Sequence, residues 1–285
     1  MADPTPSKNE KPAILTRKRR MAGMLPTLLT LGNLVCGFAA IIAATKDETT
    51  GLSLPFGWSP LKAACMFILL GMVCDALDGT AARLTRTMSR MGAELDSLAD
   101  VVTFGLAPAV MACKVVGMDI PFIAAHWDDG HWLHKCVFGA AAVYISCAAL
   151  RLARYNVEDA SPDAHGGFTG LPSPGAAGAV VGLIMLYGVL GDNKDYGGMA
   201  QGITAVAVVL GLLLLGLAMV SRMPYTHMVN RMFKGRARIM RLLPLLAVGG
   251  VLVVWPTYVL PACFLGYALS GPVLAVLRRI HPARI

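Results

Sequence analysis

Four aspartates stand close together in the chain, at spacings that suit metal-assisted chemistry. Asp75 and Asp78 are three residues apart, and Asp96 and Asp100 are four apart. On a helix, either spacing puts both carboxylates on one face. If the turn between the pairs brings the two faces together, four negative charges converge, and divalent cations would offset their repulsion. Oxygen-only ligands favour two ions of Mg²⁺ or Mn²⁺ over zinc.

Carboxylates and divalent cations in one site favour the transfer of a phosphoryl-type group. The cations offset charge on the phosphates, and one carboxylate takes the proton from an attacking hydroxyl group. The alternative is a solvated loop in which the aspartates pair with Arg83, Arg86 and Arg90. The apolar sequence on both sides disfavours that alternative, because ionisable groups inside a membrane usually serve function.

The elements that carry the aspartates are predicted to be membrane spans. Only 15% of the 285 residues are charged and the mean hydropathy is +0.61, whereas soluble domains carry about 25% charge. Apolar runs near the roughly 20 residues needed to cross a bilayer recur along the chain. We therefore expect an all-α, polytopic integral membrane bundle of about eight transmembrane helices. The predicted spans are 25–44, 61–80, 96–117, 136–153, 173–190, 199–220, 240–256 and 258–277.

The basic residues predict the orientation of these spans. With the N-terminus inside, 20 of the 25 Lys and Arg residues lie on the inner side, as the positive-inside rule requires. Both termini and the aspartates are then cytoplasmic. A seven-span alternative, with residues 242–277 as one broken helix, places Arg278 and Arg279 outside and fits less well. Topology and anionic lipid headgroups explain the net charge of +8, so no nucleic-acid partner is expected.

The residues from Asp78 to Asp100 carry a recognisable pattern. Asp78-Gly79-x2-Ala82-Arg83-x8-Gly92-x3-Asp96-x3-Asp100 resembles the signature of the CDP-alcohol phosphotransferase family at every fixed position. The resemblance implies a core of six transmembrane helices, usually in a homodimer, with a polar cavity open to the cytoplasm. It implies that Asp75, Asp78, Asp96 and Asp100 hold two metal ions and that Asp100 is the general base. It also implies contacts of Gly79, Ala82 and Arg83 with the CDP moiety, and Gly92 leaves the neighbouring helix surface open.

Two further polar groups are candidates for substrate contacts. Thr30 and Asn33 are three residues apart in the first span, where they could face the nucleotide of CDP-diacylglycerol or bond between helices. Arg151 and Arg154 at the end of the fourth span make a fork for phosphate or carboxylate, and Asn156 follows them. The alternative for the arginines is a topological anchor.

The acceptor alcohol is suggested by motifs outside the aspartate pattern. The segments RLARYN at 151–156 and GFTGLPSPGAAG at 167–178 resemble the membrane-embedded phosphatidylserine synthases of this family, and the similarity extends over about residues 21–225. That resemblance implies L-serine as the acceptor and the bacterial inner membrane as the location. Glycerol 3-phosphate, inositol phosphate and choline stay open, although a phosphorylated acceptor should need more cationic residues than Arg151 and Arg154.

Two other classes of protein fit the sequence less well. A secondary transporter would usually show paired internal repeats, which the sequence lacks, and a membrane scaffold has no need of four aspartates at the membrane edge. We divide the chain into a basic cytoplasmic segment at 1–24, a membrane domain at 25–220, and a basic loop with a C-terminal helical hairpin at 221–285. The first apolar run is expected to be a retained helix, not a cleaved signal peptide.

Overall fold

The computed structural model describes residues 10–46, 58–85, 90–117, 131–159, 170–191, 197–223, 225 and 256–280. Within these residues the regular structure is helical, without strands. By length and composition, seven stretches within them are long and apolar enough to cross a membrane. The prediction of an all-α, polytopic membrane bundle is therefore confirmed. The helices are α1 (Glu10–Thr45), α2 (Pro60–Thr85), α3 (Arg90–Asp100), α4 (Ala107–Gly117), α5 (His131–Asp159), α6 (Ser173–Gly191), α7 (Gly197–Val220) and α8 (Pro256–Ile280).

The helix ends differ from the predicted ones at several points. Helix α1 begins at Glu10, so most of the predicted basic segment 1–24 belongs to the same helix as the first span, Pro26–Thr45. The third span begins at Met91 rather than at residue 96. Hydropathy underestimates the length of both helices because their first turns are polar.

The predicted span 240–256 lies outside the described residues except for Pro256, which begins α8. The described residues that flank this segment are Tyr225 and Pro256. The Tyr225 hydroxyl donates a hydrogen bond to the Ala268 carbonyl at 3.2 Å, at the middle of α8, whereas α8 begins at Pro256. The span between them stays a prediction.

Helix α6 lies at the centre of the bundle and packs closely on α8. Its face of small residues fits α8 in antiparallel fashion, because Gly175 lies against Tyr267 and Gly182 lies against Pro261. A Cβ atom at Gly182 would lie 2.9 Å from the Pro261 Cα atom. The pair Gly178 and Gly182 thus lets two helices of the same chain approach closely, as small residues do in membranes.

The beginning of α6 is tied to the end of α7. Gly170 has a positive φ of 92°, which glycine adopts without steric cost. Its N–H donates to the Met223 carbonyl at 2.9 Å, and the Leu171 N–H donates to the Ala218 carbonyl at 3.0 Å. A Cβ atom at Gly170 would lie 2.5 Å from the Met219 carbonyl oxygen. Glycine is therefore required at this junction, which leads directly into Ser173.

A π-helical turn, Val101–Leu106, joins α3 to α4 within the third span. It begins at the residue after Asp100, and the N–H of Ala107 donates to the carbonyl of Val102 five residues earlier. The apolar run at 96–117 predicts a continuous α-helix here. Apolar periodicity does not reveal one extra residue in a turn, so the π turn was missed.

Candidate active site

The two aspartate pairs meet between α2 and α3. Asp75, Asp78 and Asp96 each offer a carboxylate oxygen, and these atoms all lie within 4.8 Å of one another. Asp78 is buried, and Oδ1 of Asp96 is buried without a hydrogen-bond partner. Helices α2 and α3 thus bring both faces together, as the spacing predicted.

Asp100 lies one turn beyond Asp96 on the same helix and is buried. It is within electrostatic range of Asp75, Asp78 and Asp96, so the four carboxyl groups form one site. Four acids at such distances repel one another strongly in apolar surroundings. The oxygen donors and the unpartnered Asp96 oxygen fit a hard divalent cation of the Mg²⁺ or Mn²⁺ type.

Helix α1 holds one aspartate from each pair. The Thr30 hydroxyl donates to Oδ2 of Asp78 at 3.0 Å and also lies 3.1 Å from the Pro26 carbonyl. The Asn33 side-chain amide donates to Oδ1 of Asp100 at 3.1 Å. Both donors are buried. Their polar groups therefore orient the carboxylates, and the predicted contact of Thr30 and Asn33 with the nucleotide stays a prediction.

The predicted nucleotide contacts lie beside the carboxylates along α2 and α3. Gly79 is exposed, and a Cβ atom built there would meet nothing within 4 Å. The helix surface next to Asp78 is thus open, as the sequence predicted for a close approach of the donor. Gly92 is half-buried in the first turn of α3. Ala82 and Arg83 belong to α2. Only their backbone is described, so their contacts with the CDP moiety stay a prediction.

The structure distinguishes the two arginines of α5. Arg151 is largely enclosed, its Nη1 donates to the Ser173 hydroxyl at 3.0 Å, and its Nε is buried without a partner. Its guanidinium lies within electrostatic range of Asp100 and Tyr267. Arg154, in contrast, is exposed. Arg151 is therefore the basic residue of the predicted fork that is enclosed beside the aspartates.

Asn156 has a local partner in this structure. Its side-chain amide donates to the Ser97 hydroxyl at 3.0 Å, which links α5 to α3 between Asp96 and Asp100. The predicted contact of Asn156 with serine or phosphate stays a prediction.

Three side chains near the site were not among the predicted residues. Ser97 and Ser173 hold Asn156 and Arg151, and Tyr267 of α8 lies near the Arg151 guanidinium. Ser97 falls between two of the aspartates in sequence, and Ser173 is a polar residue at a span entrance, so both gave a weak signal. Tyr267 gave none, because it is one aromatic residue in an apolar helix.

Comparison with known proteins agrees with this geometry. The family profile of CDP-alcohol phosphatidyltransferases matches residues 23–229, which include all four aspartates. The chain belongs to the CDP-alcohol phosphatidyltransferase family. The resemblance drawn from the residues between Asp78 and Asp100 is thereby confirmed.

Curated relatives of this CDP-alcohol phosphatidyltransferase share one name. This chain is 31% identical over 204 residues to the CDP-diacylglycerol–serine O-phosphatidyltransferase of Helicobacter pylori (strain ATCC 700392 / 26695). The match covers 72% of each chain. It is 34% identical over 163 residues to the protein of that name from Bacillus subtilis (strain 168), which covers 57% of this chain and 76% of the relative. The protein of that name from Saccharomyces cerevisiae is 34% identical over 177 residues, 59% of this chain and 57% of the relative.

Proposed function

We propose that this chain transfers the phosphatidyl group of CDP-diacylglycerol to the hydroxyl group of L-serine, giving phosphatidylserine and CMP. The observation that supports it best is the cluster of four aspartates between α2 and α3, two of them buried, in a member of this family. The shared name of the relatives supports serine as the acceptor.

The chain's own residues account for the proton in this reaction. The serine oxygen forms a bond to the phosphorus that carries the diacylglycerol group, and the bond from that phosphorus to the CMP oxygen breaks. The hydroxyl proton passes to Asp100, the general base. Asn33 occupies Oδ1 of Asp100, which leaves Oδ2 to accept the proton.

Asp75, Asp78, Asp96 and Asp100 would hold two divalent metal ions, Mg²⁺ or Mn²⁺. When bound, such cations neutralise the diphosphate of the donor and stabilise the CMP that leaves. Thr30 keeps the Asp78 carboxylate in one orientation from the side of α1. Gly79, Ala82, Arg83 and Gly92 line the approach of the CDP moiety, and Thr30 and Asn33 complete it.

Arg151 supports an amino-acid acceptor. Ser173 fixes one guanidinium nitrogen, and the buried Nε, which has no partner in the structure, can donate a hydrogen bond to a carboxylate. Choline has no carboxylate to offer, and glycerol 3-phosphate or inositol phosphate would need further cations for a phosphate of their own. Arg154 and Asn156 complete the acceptor site in our proposal.

The setting of the enzyme is part of the proposal. The protein lies in the bacterial inner membrane with both termini and the active site on the cytoplasmic side, and it forms a homodimer. Its membrane domain spans residues 25–220, with residues 221–285 as a C-terminal addition that includes α8.

The experiment is an acceptor comparison with purified protein in detergent. CDP-diacylglycerol and Mn²⁺ or Mg²⁺ are supplied with labelled serine, glycerol 3-phosphate, inositol phosphate or choline, and lipid product and CMP are measured. We expect product with serine alone and none in excess chelator. Product with glycerol 3-phosphate instead of serine would overturn the acceptor, and undiminished turnover in chelator would overturn the metal-assisted reaction.

A further inference from the structure

The π turn after Asp100 is an unusual element at a functional position. Well under 1% of residues in globular proteins adopt this conformation, and it concentrates at functional sites. Here Val101–Leu106 follows the proposed base without an intervening residue. The direction of the Asp100 side chain therefore depends on how the π turn is held.

Thr103 fastens the π turn to α1. Its hydroxyl donates to the main-chain carbonyl of Asn33 at 2.9 Å, and the Asn33 side chain in turn donates to Oδ1 of Asp100 at 3.1 Å. Thr103 and Asn33 are both fully buried. A closed loop of contacts thus runs from Asp100 along the π turn to Thr103, across to Asn33 and back to Asp100.

Two glycines make room for this contact. A Cβ atom at Gly37 would lie 2.8 Å from the Thr103 Cα atom, and one at Gly71 would lie 2.7 Å from Thr103 Cγ2 and 3.0 Å from Asn33 Oδ1. Real Cβ atoms do not approach so closely, so α1, α2 and the π turn meet at Thr103 only because both positions are glycine. Gly71 lies one turn before Asp75 on α2, which connects the same contact to the other aspartate pair.

Tyr144 of α5 holds the π turn from the opposite side. Pro108 has no N–H and therefore cannot donate to the Phe104 carbonyl four residues earlier. The Tyr144 hydroxyl donates to that carbonyl at 2.9 Å, and Tyr144 is fully buried. A buried carbonyl without a donor destabilises the fold. Tyr144 thus satisfies the group that the irregular backbone leaves open.

We propose that Thr103 and Tyr144 are positioning residues that hold the π turn between α1 and α5 and so fix the direction of Asp100 toward the acceptor hydroxyl. This inference rests on the proposed role of Asp100 as the base. Neither residue contacts substrate; each acts through the backbone that follows Asp100. Misdirection of a catalytic group by about 1 Å can lower turnover on the order of 100-fold.

The experiment compares Thr103→Val, Thr103→Ser and Tyr144→Phe with the wild-type protein, each as a full-length chain in detergent. The matched control is Thr204→Val, because Thr204 is also a buried threonine but donates only to carbonyls of its own helix, Ala200 and Gln201. For each protein the kcat, the KM for serine, the KM for CDP-diacylglycerol and the thermal unfolding midpoint are measured.

We expect Thr103→Val and Tyr144→Phe to lower kcat by about 10-fold or more, with both KM values within about twofold of wild type. Thr103→Ser, which keeps the hydroxyl, should restore at least half of the wild-type kcat. Thr204→Val should keep the wild-type kcat even if its unfolding midpoint falls as far as that of Thr103→Val.

The inference is overturned if Thr103→Val keeps its kcat, if Thr103→Ser is as slow as Thr103→Val, or if Thr204→Val is equally slow. A failure of the proposed function looks different, because the wild-type protein itself would then form no product from serine. If another alcohol served as the acceptor, the same comparison would be made with that alcohol.

Discussion

The four aspartates have different surroundings, and these suit different tasks. One oxygen of Asp78 is engaged by Thr30 and one oxygen of Asp100 by Asn33, whereas Oδ1 of Asp96 is buried with no partner. A buried carboxylate oxygen without a donor is costly unless a cation completes it. Of the four carboxylates, that of Asp96 therefore gains most from a bound cation. The Asp100 carboxylate is oriented by a neutral donor, Asn33, which does not offset its charge.

Asp100→Asn should abolish turnover and leave the protein folded. The amide cannot accept the serine proton, and general base catalysis contributes about 10² to 10⁴-fold. The shape of the side chain is kept, so the thermal unfolding midpoint should stay close to that of the wild type. Turnover is measured as CMP release, and activity above a few per cent of wild type would remove Asp100 as the base.

Arg151→Gln and Arg154→Gln should separate the two arginines. Loss of a charge-assisted hydrogen bond costs roughly 1.5–3 kcal/mol, so Arg151→Gln should raise the KM for serine by at least about 10-fold. The exposed Arg154 should matter less, with a change of about threefold or less. The KM for CDP-diacylglycerol is the internal control. If it rises in place of the serine KM, Arg151 serves the donor phosphate and not the acceptor.

Gly79→Ala tests the open surface beside Asp78. A Cβ atom meets nothing there, and alanine is favoured over glycine within a helix by about 1 kcal/mol, so the stability should not fall. If the CDP moiety lies against this backbone, the KM for CDP-diacylglycerol should rise by several-fold. Gly139→Ala is the matched control, because Gly139 is equally open on α5. Equal KM values for the two variants would show that the donor does not approach Gly79.

The sequence predicted which side chains come together at the site but not which atoms each side chain contacts. The i,i+3 and i,i+4 spacings were enough to place the aspartates on facing helices, because helix periodicity is strict. Thr30 and Asn33 were expected either to face the nucleotide or to bond between helices, and the structure shows that their donors point at Asp78 and Asp100. Such choices depend on the rotation of one helix against another, which a single sequence does not specify.

Elements that carry the site are held by close helix contacts more than by polar bonds. Helix α6 is buried along most of its length, and its glycines admit α8 on one side. Through this contact α8 brings Tyr267 near Arg151, although α8 lies beyond the residues 23–229 that the family profile matches. A C-terminal helix outside the shared region thus contributes a side chain beside the proposed acceptor site.

Gly182→Ala and Gly188→Ala should differ in their effect on stability although both lie on α6. The first puts a methyl group 2.9 Å from the Pro261 Cα atom, whereas the second faces open space. Overpacking typically costs about 1–3 kcal/mol, so Gly182→Ala should lower the unfolding midpoint in detergent. Gly188→Ala should leave it unchanged or slightly higher. Equal midpoints would mean that the α6–α8 contact contributes little to stability.

Element boundaries were predicted well where apolar runs are long and poorly where the backbone departs from the α-helical period. The spans at 173–190 and 199–220 agree closely with α6 and α7. The π turn after Asp100 was missed, although Gly105 and Pro108 mark an irregular backbone in retrospect. Its conformation depends on Thr103 and Tyr144 finding partners on α1 and α5, and those are tertiary contacts.

The whole molecule has its polar interior at one end of an apolar bundle. Large apolar side chains such as Val35, Phe38 and Leu214 are exposed on its outer surface, where a bilayer would solvate them. The aspartates, Arg151 and the Gly170 junction lie together at the end where α2 ends and α3 begins. A donor lipid could therefore keep its acyl chains in the bilayer while its diphosphate reaches the carboxylates.

The orientation of the bundle can be tested along a single helix. Cys136 and Arg154 are exposed and lie near opposite ends of α5, so one cysteine at each position reports both sides of the membrane. In a protein whose other cysteines are replaced, a membrane-impermeant maleimide should label Cys136 in cells with a permeabilised outer membrane and an intact inner membrane. A chain whose only cysteine comes from Arg154→Cys should react only after the inner membrane is opened. A third chain that keeps only Cys65, which is buried, provides the unreactive control. Labelling in the opposite order would put the aspartates on the outer face of the membrane. The proposed cytoplasmic placement of the reaction would then be wrong.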